Sequence, residues 1–368
     1  MTVLLGPQGR ASRVLVVAHF APPVHGMAVA VGRLTAAIEE VTTVRRVSVA
    51  APSLVRSPHY HLVRVLRVLR ALAVLVAERR RTATAVFTCD AGAGMVYGVA
   101  LLGTARLLGY RRHLQHHSYA YLTRPSRLLG LLVRVAGPGC EHLVSCPRMR
   151  DDLRARHPGI RARVVGIAGG LTVGSPRTRP HAPLVVGFLG NVTVDKGIGT
   201  ALETVDAAAR AGMTVRLRVA GPVIDPEAAR LLADRPEVEC VGALSGPARD
   251  AFLDEVDVLL FPSRHVHESF GLAAWEAMGR GAPVIAHEAG CLTDVAVGAA
   301  GVVIAGGEDF VGPAVAALRR FAEEPASWLE ASEAGRRLVG RTAAASRRDL
   351  ARFATGLVGT VPDGALAH

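Results

Sequence analysis

The sequence predicts an α/β protein of two doubly wound, Rossmann-like domains facing a cleft, and three observations carry that expectation. Short apolar runs alternate with segments of helical period along the chain, the pattern of parallel sheets covered by helices. The alternation stops once, at 172–183 (TVGSPRTRPHAP), which is rich in Pro, Gly and Arg and has no apolar period, and then restarts. At 368 residues and 50% hydrophobic content, the chain can bury a separate core on each side of that linker.

In the N-terminal half, residues 13–18 (RVLVVA) read as the first strand, 19–26 as a loop held by prolines and 27–39 as a helix. Gly26 stands either where backbone approaches a ligand closely or simply at the start of that helix, and the loop alone leaves both readings open. Residues 59–81 predict a basic helix, with Leu62, Val65, Leu66, Leu69, Leu72 and Leu75 among its apolar positions and Arg64, Arg67 and Arg70 recurring along one side. That pattern fits a buried helix with an arginine-lined outer face, or a helix lying on a membrane surface. Residues 85–88 form a strand running into GAGMVYG at 92–98, whose G-x-G-x-x-x-G spacing departs from the dinucleotide fingerprint and reads as a tight turn. A short strand within 112–121 (RHLQHHSYAY) ends in His116 and His117, which must point to opposite faces, so one of them at most enters a given cleft. Residues 141–145 read as the last strand of this half.

The second half begins with a strand at 184–189, the segment GNVTVDKG at 190–197, a helix at 198–211 and a strand at 215–220. Helices at 226–234 and 247–255 follow, with a short strand at 238–241 between them. Lys196 precedes a helix start, where a mobile point charge beside unpaired amides binds phosphate. Lys196 and Asn191 are the sole lysine and the sole asparagine of the chain, and both fall within this one segment.

The richest stretch is 261–286, FPSRHVHESFGLAAWEAMGRGAPVIA, set between strand signals at 258–261 and 283–286. A helix starting near Gly271 and Leu272, with Ser269 as its cap, places Leu272, Trp275 and Met278 on one face. The amides of Phe270, Gly271 and Leu272 then face the C-terminal edge of a parallel sheet, where open α/β sheets bind ligands. Glu268 lies just before that helix and Glu276 eight residues later, so two carboxylates can accept hydrogen bonds from the hydroxyls of one sugar or ribose. A last strand at 301–304 and helices at 308–322 and 332–355 complete the chain.

The spacing E-x7-E, preceded by FPS and followed by AMGRGAPVIA, resembles the signature of bacterial retaining GT-B glycosyltransferases, in particular glycosyltransferase family 4 (group 1). The resemblance implies that Glu268 contacts donor-sugar hydroxyls, that Glu276 contacts the nucleotide ribose, and that the amides of Phe270, Gly271 and Leu272 bind sugar and phosphate. GNVTVDKG is similar to the family's G-R-L-x-x-x-K-G, in which Arg and Lys neutralise the diphosphate; here Asn191 stands at the arginine position, so Lys196 carries more of that work or Arg264 assists. The loop FAPPVHGMA resembles the family's P-P-x-x-G-G loop, with His25 at the first Gly and Gly26 beside the donor diphosphate. HHSYAY resembles the H-H-S-x-x-Y stretch of a bacterial branch in which a cleft histidine lies near the transferred sugar, making His117 the first choice and His116 the second. The implied domains are an acceptor-side unit over 1–175, a nucleotide-sugar-binding unit over 184–340 and a final helix, 341–358, crossing back to the first.

The activity implied is hexosyl transfer from a nucleotide sugar to a glycan, glycolipid or small-molecule acceptor, with retention of anomeric configuration and for glycan biosynthesis. There is no Asp-x-Asp motif, and His265-x-His267 alone is a weak metal pair, so neither a metal nor another cofactor is expected. A nucleotide-sugar epimerase or isomerase, or a non-catalytic nucleotide-sugar-binding protein, are the alternatives. The net charge of +12 would suggest nucleic acid, but it comes from 42 arginines scattered over both halves with only 4% aromatic residues, which offers no stacking platform. No apolar run of membrane-spanning length lacks an arginine and no signal peptide is visible, so the expected location is cytoplasmic, with the inner membrane face as the site of any contact through 59–81. Five cysteines without a C-x-x-C pair predict free thiols.

Overall fold

The protein is described by a computed structural model covering residues 13–22, 26–51, 57–292 and 299–358. It divides into two compact units, one formed by the chain up to Gly170 together with Ala345 onward, the other by Leu171–Ala344.

The N-terminal unit runs β1 (Arg13–Ala18), α1 (Gly26–Glu39), β2 (Thr43–Ser48), α2 (Pro58–Glu78), β3 (Thr84–Cys89), α3 (Met95–Leu107), β4 (Arg111–His116), α4 (Ala120–Thr123), α5 (Arg127–Ala136), β5 (Cys140–Val144), α6 (Pro147–Arg156) and β6 (Arg161–Val164). All strands pair parallel, in the order β2-β1-β3-β4-β5-β6. The strand order reverses at β1, so the crevice beyond the C-terminal ends of β1 and β3 is the position where doubly wound sheets hold ligands.

The sequence reading stops this sheet at 141–145 and finds no strand between α1 and α2; β6 and β2 correct it. Both are edge strands, with TVRRVS and RARV carrying arginines at exposed positions, so neither shows the continuous apolar run of a central strand. The core joins Val14, Val16 and Ala18 of β1, Val31, Leu34 and Ile38 of α1, Val86 and Leu143 to Leu350, Phe353, Ala354 and Leu357 near the C-terminus.

Helix α2 faces the other way from the reading of its arginines. Arg64 is 3% exposed and turns inward, while Leu62, Leu66 and Leu69 are more than half exposed. The cause is Asp90 at the end of β3, which lies 2.8 Å from the Arg64 guanidinium; a buried carboxylate needs a cation more than a leucine needs cover. Arg67 is half-buried and donates to the Ala50 carbonyl, and of the three only Arg70 is exposed. The expectation of an arginine-lined outer face is therefore wrong for Arg64 in either of its versions.

The C-terminal unit runs β7 (Leu184–Leu189), α7 (Ile198–Arg210), β8 (Val215–Ala220), α8 (Pro226–Ala233), β9 (Glu239–Gly242), α9 (Gly246–Asp254), β10 (Val258–Phe261), α10 (Leu272–Gly279), β11 (Val284–His287), β12 (Gly301–Ile304), α11 (Val311–Glu323) and α12 (Pro325–Val358). Its strands are again parallel, in the order β12-β11-β10-β7-β8-β9, with the reversal between β7 and β10. α12 is one continuous helix whose residues up to Ala344 belong to this unit and whose residues from Ala345 belong to the other. The segment 172–183 is tied to the C-terminal unit: Gly174 N–H donates to Gly279 O at 2.9 Å, and Arg177 and His181 both reach the fully buried Asp257 carboxylate. Asp257 also accepts from the Val185 amide at 2.7 Å, which pins the start of β7 to the start of β10.

Cys89, Cys140 and Cys240 are free thiols as expected, whereas Cys146 and Cys291 are not free, which corrects the expectation for those two. Among the described residues no helix is long and apolar enough to cross a membrane.

Within β4 and β5, histidines are part of the N-terminal core. His116 is fully enclosed; its Nδ1 lies 3.0 Å from Tyr121 Oη and its Nε2 2.9 Å from Nδ1 of His142, with the two rings stacked. Burial, reinforced by the neighbouring histidines, holds His116 well below the usual imidazole range and lowers His142 to about 4. A group whose folded pKa is depressed binds fewer protons folded than unfolded, so its stabilisation is complete above the ordinary value near 6.5 and is lost as pH falls toward 4. Between pH 7.5 and 5, His142 alone should cost about 2 kcal/mol of stability. Urea unfolding followed across that range tests this: the midpoint should fall with pH, and His142→Phe, though less stable at pH 7.5, should show a flatter dependence. A wild-type midpoint that does not change between pH 7.5 and 5 would contradict the buried neutral pair.

Candidate active site

The loops leaving β7, β8, β10 and β11 meet at the C-terminal edge of the second sheet, on both sides of its strand-order reversal. Their approach is close enough to require glycine. The Gly190 amide donates to Ala220 O at 3.0 Å, and any Cβ on Gly221 (φ 139°) would run into the Gly190 carbonyl. Val192 N–H donates to Pro222 O at 2.9 Å, which clamps the half-buried Asn191 beside the β8 exit.

Lys196 follows at the foot of α7. Gly197 (φ 88°) is the N-cap of that helix, and a Cβ there would fall 2.5 Å from the Pro262 carbonyl oxygen. This left-handed, side-chain-free position lets the β7 loop lie against the exit of β10. Across that contact the Arg264 amide donates to Asp195 O at 3.0 Å, His265 pairs with the Asp195 carboxylate, and the Lys196 ammonium pairs with the Glu268 carboxylate. Both members of the last pair are shielded, with side-chain exposures of 24% and 13%. Burial raises the Asp195 carboxyl, but hydrogen bonds from Thr193 and His265 outweigh it and hold the group below the usual carboxylate range. Lys196 and Glu268, 72 positions apart in sequence, are thereby brought together.

Glu268 leads into α10 by a sharp entry. The N-cap is Gly271 in the left-handed region (φ 71°), not Ser269, and no side chain caps the helix. A Cβ on Gly271 would lie 2.7 Å from Leu292, and the Ser269 carbonyl accepts instead from Cys291 N–H at 2.6 Å. The first intrahelical bonds are donated by Ala274 and Trp275 to Gly271 O, so the amides of Gly271 and Leu272 precede the ladder at the positive end of the helix. Phe270 is anchored by stacking on the fully buried Trp275, with ring centroids 5.1 Å apart. Its side chain is thus core, and its backbone is what it offers to a ligand.

Glu276 pairs with Arg249 of α9, a partner that no motif signals. Arg264 is exposed, and its Nε lies 3.3 Å from Nε2 of His287 at the end of β11. The backbone of Arg264 thus touches the loop that carries Lys196, while its guanidinium stands at the end of β11 and pairs with no carboxylate among the described residues.

In the N-terminal unit, His117 is half-buried at the exit of β4, whereas His116 has both ring nitrogens engaged in the core, so of the two His117 is the one nearer the surface. Gly26 is the first residue of α1, and a Cβ there would meet nothing within 4 Å, so packing within the chain does not demand glycine. His25 lies outside the described residues. Sequence reasoning missed the cluster at the β1/β3 reversal: His19 Nε2 lies 2.8 Å from Asp90 Oδ1 and 2.9 Å from Arg64 Nη1, with the Arg64 guanidinium 5.2 Å from the Tyr97 ring centroid. Burial raises the Asp90 carboxyl, but His19 and Arg64 outweigh it and hold the group below its usual range. Among the described residues no group of three or more His, Cys, Asp or Glu side chains is placed to hold a metal ion.

Residues 183–323 match the family model of glycosyl transferases group 1. Over that segment the chain is similar to the group 1 glycosyltransferases. The group 1 segment contains every donor-site candidate of the C-terminal unit, from Asn191 to Glu276. The 2-deoxystreptamine glucosyltransferase of Streptomyces kanamyceticus is 32% identical over 158 residues, a match spanning 41% of this chain and 40% of that protein's length. The sucrose-phosphate synthase of Thermosynechococcus elongatus has the same fold, with a TM-score of 0.69 at 16% identity over 94% of this chain and 99% of that one. HepE of Anabaena, solved with UDP and glucose, superposes with a TM-score of 0.65 at 12% identity over 94% and 99% of the two chains. WaaG, a glycosyltransferase involved in lipopolysaccharide biosynthesis, gives 0.62 at 14% identity over 93% and 100%. These likenesses establish the two-unit GT-B architecture that the sequence predicts.

Gly197 tests the geometry of the group 1 segment. Gly197→Ala must strain a left-handed residue by about 1–2 kcal/mol and push against a backbone carbonyl that no rotamer change can move. The variant should be destabilised by at least about 2 kcal/mol in chemical unfolding. Gly199→Ala, whose Cβ would sit 3.6 Å from Leu231 inside α7, should match or slightly exceed wild type. Equal stability of the two variants would contradict the close approach at Pro262.

Proposed function

We propose that the protein transfers a hexosyl group from a nucleotide-sugar donor to an acceptor, with retention of anomeric configuration and without a metal. The observation that carries the proposal is the Lys196–Glu268 pair at the strand-order reversal, inside the group 1 segment and next to the amides that open α10. A nucleotide diphosphate is a dianion or more, and Lys196 is the point charge poised to meet it. As the diphosphate binds, the ammonium exchanges Glu268 for phosphate oxygens and the carboxylate becomes an acceptor for sugar hydroxyls. The amides of Phe270, Gly271 and Leu272 then meet the phosphate and the sugar, Asn191 donates from the β7 loop, and Arg264 adds the charge that Asn191 lacks.

Glu276 is assigned to the ribose, with Arg249 holding its carboxylate in place. In this proposal the leaving diphosphate is stabilised by Lys196, Arg264 and the helix N-terminus. The phosphate takes the proton of the acceptor hydroxyl on the face from which it departs, and no protein nucleophile is used. His117, on the N-terminal unit, is assigned to the transferred sugar and Gly26 to the diphosphate. That HepE was solved with UDP and UDP-glucose supports a nucleotide-sugar donor.

A second reading concerns the acceptor. The outward face of α2 is apolar, with Leu62, Leu66, Leu69 and Val76 all more than half exposed, which supports peripheral contact with a lipid surface and a lipid-linked acceptor.

A panel of nucleotide sugars and nucleoside diphosphates screened for thermal stabilisation tests the donor; a ligand at 100 times its dissociation constant should add about 2.7 kcal/mol. With the donor so identified, Lys196→Ala should lose about 3 kcal/mol of transition-state stabilisation, read from kcat/KM. Glu276→Gln should weaken the free nucleoside diphosphate, whereas Glu268→Gln should act on sugar recognition. Wild-type turnover in Lys196→Ala, or free-nucleotide affinity unchanged in Glu276→Gln, would remove the corresponding assignment.

A further inference from the structure

A cavity lies at the C-terminal ends of β1 and β2, at one edge of the N-terminal sheet. It measures about 290 Å³ and is lined by Phe20, Ala21 and Pro22 at the exit of β1, Arg46, Val47 and Ser48 at the end of β2, and Arg67 and Arg70 of α2. Three guanidiniums line it, and among the described residues no carboxylate does. Bringing three cations to one small hollow is unfavourable unless an anion is to be held there.

The commitments of the three differ in an informative way. Arg46 is paired with Glu39 on its outer side and lies 5.7 Å from the Phe20 ring centroid, which fixes its plane against the cavity wall. Arg67 spends one donor on the Ala50 carbonyl, which orients a half-buried side chain and leaves its other N–H groups for a ligand. Arg70, one turn further along α2, is exposed and makes no ion pair or hydrogen bond among the described residues. Ser48 Oγ accepts from the Ala50 amide at 3.4 Å, so its O–H remains free to donate. The set is therefore Arg67 and Arg70 with donors to give, a third guanidinium whose Nε and Nη2 are taken by Glu39, and a hydroxyl, the donor set of a tetrahedral oxyanion. The volume sits at the lower limit of small-molecule pockets, roughly 300 Å³, which suits a phosphate group and excludes a whole nucleotide sugar.

We propose that this cavity is a phosphate-binding site, with Arg67 and Arg70 as its principal ligands and Ser48 and Arg46 completing it. Assigning that phosphate to the acceptor rests on the glycosyl-transfer reading; the binding itself does not. Two sources can supply the group: a soluble phosphate ester, or the headgroup of a lipid whose apolar part runs along Leu62, Leu66 and Leu69 of the same helix.

The test uses the full chain and inorganic phosphate at constant ionic strength, followed by isothermal titration. Wild type and Lys196→Ala should both bind phosphate saturably, because every lining residue belongs to the N-terminal unit. Arg70→Gln, which disturbs no ion pair or hydrogen bond among the described residues, should weaken binding about tenfold, and Arg67→Gln/Arg70→Gln should weaken it further. Co-sedimentation with phosphatidylcholine vesicles containing phosphatidic acid then separates the sources. Binding that falls both in Arg70→Gln and in Leu66→Ser supports a lipid headgroup, and phosphate binding without vesicle binding supports a soluble ester. Absence of saturable phosphate binding, binding unchanged in both arginine variants, or binding lost only in Lys196→Ala would overturn the assignment.

Discussion

The Lys196 ammonium and the Glu268 carboxylate are held together at the C-terminal edge of the second sheet, and much of the C-terminal unit is arranged to make that pairing possible. Two ions shielded from water are costly apart and acceptable together. Meeting requires the β7 loop to lie on the exit of β10, which in turn requires a left-handed residue without a side chain at 197. It also requires Glu268 to be delivered by a loop that turns sharply into α10, which Gly271 permits by the same means. Asp257 fixes the strand starts at the other end of the sheet, so the loops that carry the charges are hung from β7 and β10 in a set register.

A pairing of this kind is a stand-in as well as a support. In the structure Glu268 is the counter-ion of Lys196; on the proposed function a diphosphate would be a stronger one, and the carboxylate it displaces would be left facing sugar hydroxyls. The site would then pass from an internal ion pair to two ligand contacts without ever burying an uncompensated charge. Arg249 performs a comparable service for Glu276, whose carboxylate it holds in place.

What the sequence made legible follows from how each element is buried. Central strands such as LVVGFL and VLLF are enclosed on both faces and read directly as apolar runs. The edge strands TVRRVS and RARV are not enclosed, and their arginines erase the signal. The basic helix α2 was legible as a helix but not in its orientation, because Asp90 comes from a distant strand and nothing near Arg64 in the sequence announces it. Within the site, Lys196, Glu268 and Gly271 were marked by spacing within short segments, whereas Arg249, His265 and His19 act through partners brought in by the fold. Ser269 looked like a helix cap because serine caps helices; the backbone took the left-handed route at Gly271 instead.

The exchange of partners by Lys196 is the central claim, and a double-mutant cycle measures it. Unfolding free energies of wild type, Lys196→Ala, Glu268→Gln and the double variant give the coupling between the two side chains, first without ligand and then with a saturating nucleoside diphosphate, whichever of UDP, GDP and ADP binds. The account predicts a coupling of about 1 kcal/mol in the free protein that falls toward zero once the diphosphate is bound. A coupling of the same size in both states would contradict it, because the ammonium would then have stayed with Glu268.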